Sequence, residues 1–331
     1  MEEPNGTTGG PPGIGPASEA APNLRPVLRA GCAFVLRVIA NITKLAGGDL
    51  RSGLVFLALW TANMRPIMQS AANDTYGGMD TLPPDEMIRP IAVHALSESL
   101  LIPYETTRRH VEKLVAKGLC VRDGRGVRVA VATVAGNPEV AAMIANALPS
   151  LLLFLDDLRR SAFDFAPYRQ PLPVTAPLPP SGELPPNARA LLRVCSDYVA
   201  RCVDVLGRLY DNDFAAGLVH TAIWMANVDG IRRGPENLTY GALHVLPPDG
   251  LRQPISISAL AAGLAMPFET TRRHVNKLLR ARMAVRTGKG LVVPRAVLEQ
   301  PRVIESARAV HAHSVRLVAE LYRAGFDFSG Y

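Results

Sequence analysis

The sequence predicts a mainly α-helical protein made of two tandem copies of one unit, and three observations lead to this prediction. The segment ETTRRHV occurs twice, at residues 105–111 and again at residues 269–275. Stretches with the apolar spacing of helices precede both copies of the segment, and a glycine-rich turn between β-forming residues follows both. A chain of 331 residues is long enough for two domains that each bury a core.

The repeat extends well beyond this segment. A shift of 164 positions, which carries residue 105 onto residue 269, aligns roughly eighty residues without a gap, and with one residue of slippage the Phe-Asp-Phe triplet at 163–165 falls on that at 326–328. The matched residues include Trp60 with Trp224, Asn63 with Asn227, the Thr-Tyr-Gly triplets at 75–77 and 239–241, the Leu-Pro-Pro-Asp quartets at 82–85 and 246–249, and Gly124 and Gly126 with Gly288 and Gly290. Self-similarity at a fixed spacing indicates a duplicated structural unit.

The duplication divides the chain into four segments. Residues 1–23 are rich in glycine and proline and lack the features of a secretory signal, so we expect a disordered arm and a cytoplasmic protein. Residues 24–165 form the first repeat, and residues 188–331 form the second. Residues 166–187 join them, and their prolines favour an extended linker over a helix.

The composition is that of a soluble globular protein, with 48 % hydrophobic and 20 % charged residues. The longest apolar runs, residues 53–62 and 143–155, are shorter than the roughly 20 residues that a membrane helix needs, so we expect core helices. The four cysteines show no close metal-ligand spacing and are expected to be reduced thiols. His311 and His313 would point to different faces of a helix, so we expect no metal site and no cofactor.

Each repeat begins with long stretches of helical apolar spacing. They predict helices over residues 24–46 and 51–68 in the first repeat and over residues 187–209 and 214–228 in the second. We expect these helices to form the scaffold of the protein and an interface between the repeats.

Two short helices and a hairpin follow the scaffold helices of the second repeat. Pro267 separates the two helices, because proline favours an extended conformation in the residue before it. The predicted elements are a short strand at residues 254–256, a helix at 256–265, a second helix from Phe268 or Glu269 to about Arg282, and a hairpin with strands at 284–286 and 291–293.

The first repeat has the same elements in the same order. They are a helix at residues 93–101, a turn at 102–103, a helix at 104–117 and a hairpin at 121–131. Gly118 follows the second helix and is suited to the left-handed conformation that ends many helices. A helix, a tight turn, a second helix and a hairpin therefore occur twice in the chain.

The second helix of each pair has an apolar side and a polar side. Thr271, Val275, Leu278 and Leu279 fall on one side at about 100° per residue and are expected to face the core. The polar side carries side chains that can bond to base edges and phosphates. They are Glu269, Thr270, Arg273, Lys277 and Arg280 in the second repeat and Glu105, Thr106, Arg109 and Lys113 in the first.

An exposed charged stripe is, in most helices, only a solvated face. Two observations favour a functional surface here. The copies differ at many exposed positions yet keep ETTRRHV and the Lys-Leu pair that follows it. Residues 89–131 carry a net charge of +4 and residues 253–295 carry +7, whereas the rest of the chain sums to −4. Positive charge concentrated in this way is expected of a phosphate-binding surface.

These elements resemble the winged helix-turn-helix domains of bacterial transcription regulators, most closely those of the catabolite-activator type. Recognition helices of that type often open with Arg-Glu-Thr, followed three residues later by another arginine. Residues 104–109 (YETTRR) and 268–273 (FETTRR) match this pattern at the glutamate, the threonine and the later arginine. Tyr104 and Phe268 replace the first arginine, so its guanine contact and the target sequence do not carry over.

The resemblance implies roles for the matched residues. The glutamate and the later arginine of each motif would contact base edges, and the first threonine would hold a phosphate. The basic hairpin tips, Arg125 and Lys289, would reach a neighbouring groove or phosphate. The candidate DNA-binding residues are Tyr104, Glu105, Thr106, Arg108, Arg109, Lys113, Arg125, Phe268, Glu269, Thr270, Arg272, Arg273, Lys277, Arg280 and Lys289.

Two other pairs of matched residues have both a structural and a functional interpretation. Trp60 and Trp224, each with an asparagine three residues further on, could line an effector pocket, although packing is the expected role of aromatic residues in apolar helices. His110 and His274 lie at the edge of the predicted recognition helices, where they could pack against the protein or contact phosphate.

The sequence therefore predicts a transcription regulator of the nucleoid that binds double-stranded DNA with two recognition helices in one chain, as a pseudo-dimer. Many helix-turn-helix proteins dimerise to place two such helices about one DNA turn apart. A replication or partition initiator and a protein-interaction module remain as alternatives, and a homodimer and a small-molecule effector are left open. No nucleophile, acid–base pair or phosphate loop has a recognisable context, so we do not expect an enzyme.

Overall fold

A computed structural model describes residues 23–179 and 183–331. Within them the secondary structure is mainly α-helical with two small antiparallel hairpins, which confirms that part of the predicted fold class. Residues 1–22 of the predicted arm and residues 180–182 of the predicted linker lie outside the described residues.

The two repeats contain corresponding elements in the same order, except that one helix of each repeat is divided into two helices in the other. The first consists of α1 (Leu24–Leu45), α2 (Leu50–Met68), α3 (Ala72–Thr75), α4 (Val93–Leu100), α5 (Tyr104–Ala116), β1 (Cys120–Asp123), β2 (Gly126–Val129), α6 (Val131–Ala135), α7 (Pro138–Ala145) and α8 (Ala147–Arg160). The second consists of α9 (Ala188–Arg208), α10 (Phe214–Asn227), α11 (Asp229–Arg233), α12 (Glu236–Thr239), α13 (Ile257–Gly263), α14 (Phe268–Arg280), β3 (Val285–Thr287), β4 (Gly290–Val292), α15 (Arg295–Leu298) and α16 (Pro301–Arg323).

The predicted helices are confirmed, and their observed ends lie within two residues of the predicted ends. The ends of α13 and α14 show the largest differences, because α13 ends at Gly263 and not at residue 265, and α14 ends at Arg280 and not near Arg282. Arg282 has a φ of 55°, in the left-handed region that stops a helix, and Gly118 has a φ of 69° at the same position after α5. Both helices therefore end on the same backbone conformation, which only the first repeat provides with a glycine.

Buried arginines join the two repeats. Arg29 on α1 donates to the side chain of Asn237 at 2.9 Å and to the carbonyl of Tyr240 at 2.9 Å, both in the second repeat. In the reciprocal contact, Arg193 on α9 donates to the carbonyl of Tyr76 at 2.7 Å in the first repeat. Both arginines are only 1 % exposed, and their acceptors lie at the ends of α12 and α3, where a helix presents free carbonyls and partial negative charge.

Arg25 and Arg189, one helical turn before Arg29 and Arg193, also donate hydrogen bonds to the opposite repeat. Arg25 donates to the carbonyl of Leu243, and Arg189 donates to the carbonyls of Gly78 and Met79 at 3.0 Å each. The same surface is thus used by both repeats, as in the interface of a two-fold symmetric dimer. The repeats therefore interlock and share one body. The matched Thr-Tyr-Gly triplets have a structural explanation, because the carbonyls of Tyr76 and Tyr240 accept hydrogen bonds from the buried arginines of the opposite repeat.

Tyr198 on α9 lies at the centre of the shared core and is fully buried. Its ring stacks on Phe34 of α1 with the ring centroids 5.9 Å apart and lies beside Phe154 of α8 at 6.2 Å. Its hydroxyl bonds to the hydroxyl of Ser314 on α16 at 2.9 Å. A Cβ at Gly31 would lie 2.5 Å from the Tyr198 hydroxyl oxygen, so α1 needs a glycine where it passes this residue.

The repeats differ most in the helix that follows the hairpin. The second repeat has the single helix α16, whereas the first is broken at Asn146 into α7 and α8. Pro149 accounts for the break, because it has no amide to bond the carbonyl of Ala145 and its ring clashes there. Ala312 occupies the matching position in α16, and that helix continues.

Among the residues that the structure describes, two segments are long and apolar enough to cross a membrane by length and composition, α1 and residues Pro138–Arg160. The apolar stretch of the second segment is therefore longer than the run at 143–155 that the sequence suggested. α1 is 67 % buried inside the fold, as a core helix of a soluble protein also is, and the second segment is 33 % buried and broken at Asn146. The described part of the linker contains one 3-10 turn, Ala166–Tyr168, and otherwise no helix.

Candidate nucleic-acid interface

Each pair of short helices is joined by a turn with one left-handed residue. This residue is Leu101 between α4 and α5, with a φ of 51°, and Ala265 between α13 and α14, with a φ of 53°. The carbonyls of Pro103 and Pro267 then accept the first backbone hydrogen bonds of α5 and α14, from Thr107 and Thr271, at 3.0 Å (residues 107 and 271 are the second threonines of the two motifs).

One extended residue ahead of each helix pair forms a β-bridge with the hairpin that follows the pair. Ile91 bridges Val127 of β2, and Ile255 bridges Leu291 of β4, both antiparallel. The short strand that the sequence places ahead of the second pair of helices is thus reduced to a single bridging residue. In both repeats the chain ahead of the helix pair is bonded to the hairpin behind it, which holds the helices and hairpin as one compact group.

The asparagines that follow the two tryptophans have a structural role. The amide oxygen of Asn63 on α2 accepts from the backbone of Val129 at 2.8 Å, and its NH₂ donates to the carbonyl of Arg89 at 2.6 Å. Asn227 on α10 makes the same contacts, with Val293 at 2.9 Å and Gln253 at 2.8 Å. Each asparagine therefore fixes a hairpin to a scaffold helix.

The inner faces of α5 and α14 are buried in the same register. The buried residues are Thr107, His110, Val111 and Leu114 in α5 and Thr271, His274, Val275 and Leu278 in α14. This confirms the predicted core side, with Leu279 partly buried at its edge. It also resolves the two interpretations of His110 and His274, since both rings pack inside the protein.

An aspartate at the start of each second scaffold helix holds the charged residues of the motif. Asp49 accepts from the backbone of Ser52 at the start of α2, from Lys113 at 2.8 Å, and lies 3.4 Å from the His110 ring nitrogen. Burial acts to raise the pKa of Asp49, but hydrogen bonds from His110, Lys113 and Ser52 outweigh it, so the pKa lies below its ordinary value. The carboxylate is therefore ionised at neutral pH.

The second repeat has the same arrangement around Asp213. Asp213 caps α10 through the backbone of Ala216 at 3.0 Å and accepts from Lys277 at 2.6 Å. Burial raises and these hydrogen bonds lower the pKa of Asp213, with a net decrease, while burial lowers the pKa of His274. The histidine and lysine of the repeated segment thus position α5 and α14 on the scaffold, which is a reason for their retention that is independent of any ligand.

The outer face of α5 is largely occupied by its own ion pairs. Glu105 accepts from Arg108 at 2.7 Å and from Arg109 at 3.2 Å, and Arg108 also pairs with Glu112. The hydrogen bond from Arg108 is the main cause that lowers the pKa of Glu105 to about 2. Thr106 is half-buried, and Tyr104 is an exposed aromatic residue at the start of the helix. For Glu105 to contact a base, it would have to release at least one arginine.

The outer face of α14 is less neutralised. Glu269 pairs with Arg272 at 2.7 Å, and Arg273 has no hydrogen-bond or ion-pair partner in residues 23–179 and 183–331. Asn276 stands where α5 has Glu112, and Arg280, which donates to the carbonyl of Asn276 at 3.3 Å, stands where α5 has Ala116. Thr270 is half-buried and Phe268 is exposed, as their counterparts are. The second repeat therefore presents more free positive charge.

The hairpins carry further exposed cations. Arg125 at the tip of β1–β2 lies 3.7 Å from Asp123, and the side chain of Lys289 at the tip of β3–β4 has no partner among the described residues. Arg122 and Arg286 are exposed at matched positions on β1 and β3, and no ion pair within the described chain involves them. The sequence analysis missed these two arginines, although their separation of 164 residues was a usable signal.

The two charged faces flank one loop. The Lys117 side chain at the end of α5 donates to the carbonyl of Leu45, which precedes the loop between α1 and α2. On the other side of that loop, a Cβ at Gly48 would lie 3.7 Å from the carbonyl of Ala265, in the turn before α14. The charge of Arg51 also contributes to lowering the pKa of His274, after burial. The end of α5 and the start of α14 therefore lie on the same side of the molecule.

Comparison of the chain with models of protein families, with curated proteins and with solved structures finds no match. The residues that the structure describes contain no group of three or more histidine, cysteine or acidic side chains that could hold a metal ion. The function is therefore argued from the geometry and charge of the two matched helices and their hairpins.

Proposed function

We propose that the protein is a transcription regulator that binds double-stranded DNA in a sequence-specific manner, with each repeat acting as a winged helix-turn-helix domain. In this proposal α5 and α14 are the recognition helices, and the hairpins β1–β2 and β3–β4 are the wings. The observation that carries it is the outer face of α14. Arg273 stays exposed there without an ion-pair partner in the described chain, although Glu269 lies one helical turn away and binds Arg272 instead.

Charge and position support this proposal. The segments 89–131 and 253–295 hold net charges of +4 and +7 in a chain whose remainder is negative. Phosphate contacts provide most of the affinity of DNA-binding proteins, and side chains on a recognition helix provide the base contacts. Arg109 and Arg273 are placed for base edges, and the exposed arginines Arg122 and Arg286 for phosphates.

The two recognition helices would read unequal half-sites. α5 carries Glu112 and Ala116 where α14 carries Asn276 and Arg280, and residue 104 is Tyr where residue 268 is Phe. Selection from random double-stranded DNA, followed by sequencing, tests the proposal directly. We expect one motif with two related but different halves. A long array of iterated sites would favour a replication or partition initiator, and the absence of enrichment would favour a protein-interaction module.

Binding is expected to weaken steeply with salt. If the charged segments neutralise Z phosphates, the logarithm of the association constant falls with the logarithm of the salt concentration with a slope of about −0.9Z, and two helices with two wings give a Z of roughly 6 to 10. Fluorescence anisotropy of a labelled duplex between low and moderate salt measures this slope. An association constant that does not change with salt would contradict the proposal.

Hairpin and helix residues are expected to contribute differently. Lys289→Ala removes a phosphate contact and should weaken binding to specific and random DNA about equally. Arg273→Ala removes a base contact, so it should cost about 1 to 3 kcal/mol on the selected site and relax the preference at one or two positions. Both variants are measured on both kinds of DNA.

Arg159→Ala is a matched control, because Arg159 is also exposed but lies on α8 and pairs with Asp156. Because Arg159→Ala removes one positive charge, it should weaken binding to specific and random DNA slightly and equally, and it should not change the sequence preference. Equal losses from Lys289→Ala and Arg273→Ala on specific and random DNA would show that α14 is not a recognition helix.

A further inference from the structure

A cavity of about 490 Å³ lies between the first repeat and α9. Its walls come from α1, α2, α7, α8 and the first half of α9, and they are mostly apolar, with Phe34, Trp60, Leu148 and Leu192 among them. This volume falls within the range of about 300 to 1,000 Å³ that is typical of small-molecule sites. Trp60, for which packing was the expected role and an effector pocket the alternative, therefore lines a cavity in the first repeat.

The matching place in the second repeat is almost filled. The cavity there has a volume of about 60 Å³, and most of its lining residues are counterparts of residues that line the larger cavity, including Trp224 for Trp60 and Leu28 for Leu192. The same fold thus packs this place closely on one side and leaves it open on the other. A cavity with a filled twin is a feature of the first repeat and not a general consequence of the architecture.

Two differences between the repeats accompany the open cavity. α16 is one unbroken helix that packs against both α9 and α1, while the interrupted pair α7 and α8 packs on α1, and Phe154 of α8 lies beside Tyr198 of α9. The side chains of the wall also differ, because Ala141 and Ala147 stand where the larger Ile304 and Val310 line the filled cavity. The first repeat therefore combines less side-chain volume at these wall positions with a helix that is interrupted near Pro149.

The open cavity also has polar side chains that its twin lacks. Asn41 on α1 is a half-buried wall residue, and its amide has no hydrogen-bond partner in the described part of the chain, whereas its counterpart is the apolar Val205. Ser196 on α9 stands in place of Cys32, and it donates to the carbonyl of Leu192 at 2.8 Å, which leaves its oxygen free to accept. A few polar groups on an apolar wall are how small-molecule sites orient a ligand.

We propose that this cavity is a binding site for one neutral, mainly apolar small molecule whose single hydrogen-bonding group pairs with Asn41. An anionic ligand is disfavoured, because the buried guanidinium at the cavity, Arg189, is already bonded to the carbonyls of Gly78 and Met79. A cationic ligand is disfavoured as well, because the one carboxylate among the lining residues, Glu183, is exposed to solvent. The site goes beyond the proposed function, and its existence does not depend on DNA binding.

The test uses the full chain and N-phenyl-1-naphthylamine, a neutral apolar ligand whose N–H can bond the side-chain carbonyl of Asn41. The chain has two tryptophans, so labelling with fluorotryptophan gives two fluorine NMR signals, which Trp60→Phe and Trp224→Phe assign. We expect saturable binding of one ligand per chain, a shift of the Trp60 signal and an unchanged Trp224 signal. Equal shifts of both signals, or none at saturation, would overturn the proposal.

Two substitutions test the details of the site. Ser196→Phe fills the cavity and should abolish the Trp60 shift. Asn41→Val introduces the residue of the filled repeat and should weaken binding about threefold to tenfold, the usual effect of one hydrogen bond. Trp224→Phe, on the opposite side, should leave the affinity unchanged. Unaltered binding by Asn41→Val would refute the proposed pairing even if Ser196→Phe failed to fold.

Discussion

Replacing Arg29 or Arg193 with methionine is expected to lower the free energy of unfolding by about 3 to 5 kcal/mol. Methionine approximates the length of the arginine stem but donates no hydrogen bond. Arg29→Met would leave the carbonyl of Tyr240 and the amide of Asn237 without their donor in a buried place. Burial and the neighbouring Arg25 lower the pKa of Arg29 to about 9, so the lost group is a charged donor at neutral pH.

Urea denaturation followed by circular dichroism measures this effect. Arg159→Met, at an exposed position, serves as the control and should change stability by no more than about 0.5 kcal/mol. Arg29 and Arg193 bond to different acceptors on opposite sides of the core, so their effects should be close to additive. The double variant should then have little stability left out of the 5 to 15 kcal/mol of an ordinary domain. A change below about 1 kcal/mol in each single variant would show that the arginines do not hold the repeats together.

Replacing Arg109 or Arg273 with alanine is expected to reduce affinity for the selected DNA site by about tenfold to a hundredfold. Two recognition helices on one body act with a high effective concentration, so disabling one removes far more than half of the affinity. The loss should be larger for Arg273→Ala, because Arg109 is partly engaged by Glu105 at 3.2 Å while Arg273 has no partner in the described chain. Anisotropy titrations and footprinting of both half-sites measure this.

Arg316→Ala is the control for these variants, since Arg316 is an exposed arginine on α16 of the second repeat, outside the charged segments, and it pairs with Glu320 at 2.6 Å. Each recognition-helix variant should weaken protection of its own half-site first. If Arg109→Ala bound like the unaltered protein and its half-site were unprotected throughout, the first repeat would not read DNA. Its helix α5 would then be a surface for a partner.

The elements of both repeats could be predicted from the sequence because their signals are local. Pro267 ahead of α14 and the spacing of Val275 and Leu278 define a helix and its buried side within a few residues. The predicted end of α14 was too late because Arg282 adopts the left-handed conformation that ends the helix. At the matching position in the first repeat a glycine, Gly118, indicates this conformation in the sequence. Comparison of the two copies would have indicated that conformation.

Contacts between distant residues could not be predicted in this way. The partner of Lys113 is Asp49, 64 residues earlier, and nothing local to the repeated segment indicates it. This contact changes the interpretation of the repeat, because the lysine has a structural reason to be kept on an outwardly polar helix. Among the exposed charged residues of the motif, Arg109 and Arg273 therefore give the strongest support for DNA binding.

The cavity could not be predicted from the sequence either. Pro149 is visible in the sequence as a residue that interrupts helices, but the cavity also depends on α9, which is distant in the chain and forms the opposite wall. Trp60 and Trp224 are identical in type and matched in position, yet one lines an open space and the other a filled one. The residues around each tryptophan, and not the tryptophans themselves, therefore determine the volume of the cavity.

The fusion of both repeats into one interlocked chain has a consequence for how such a protein can change. In a dimer of identical subunits every substitution appears twice, so a proline at position 149 would interrupt the matching helix on both sides of the molecule. In this chain the proline interrupts one helix, and α16 continues unbroken. The association of the two repeats is also independent of protein concentration, because they are covalently joined and do not separate on dilution. One half can therefore acquire a new property while the other preserves the original packing.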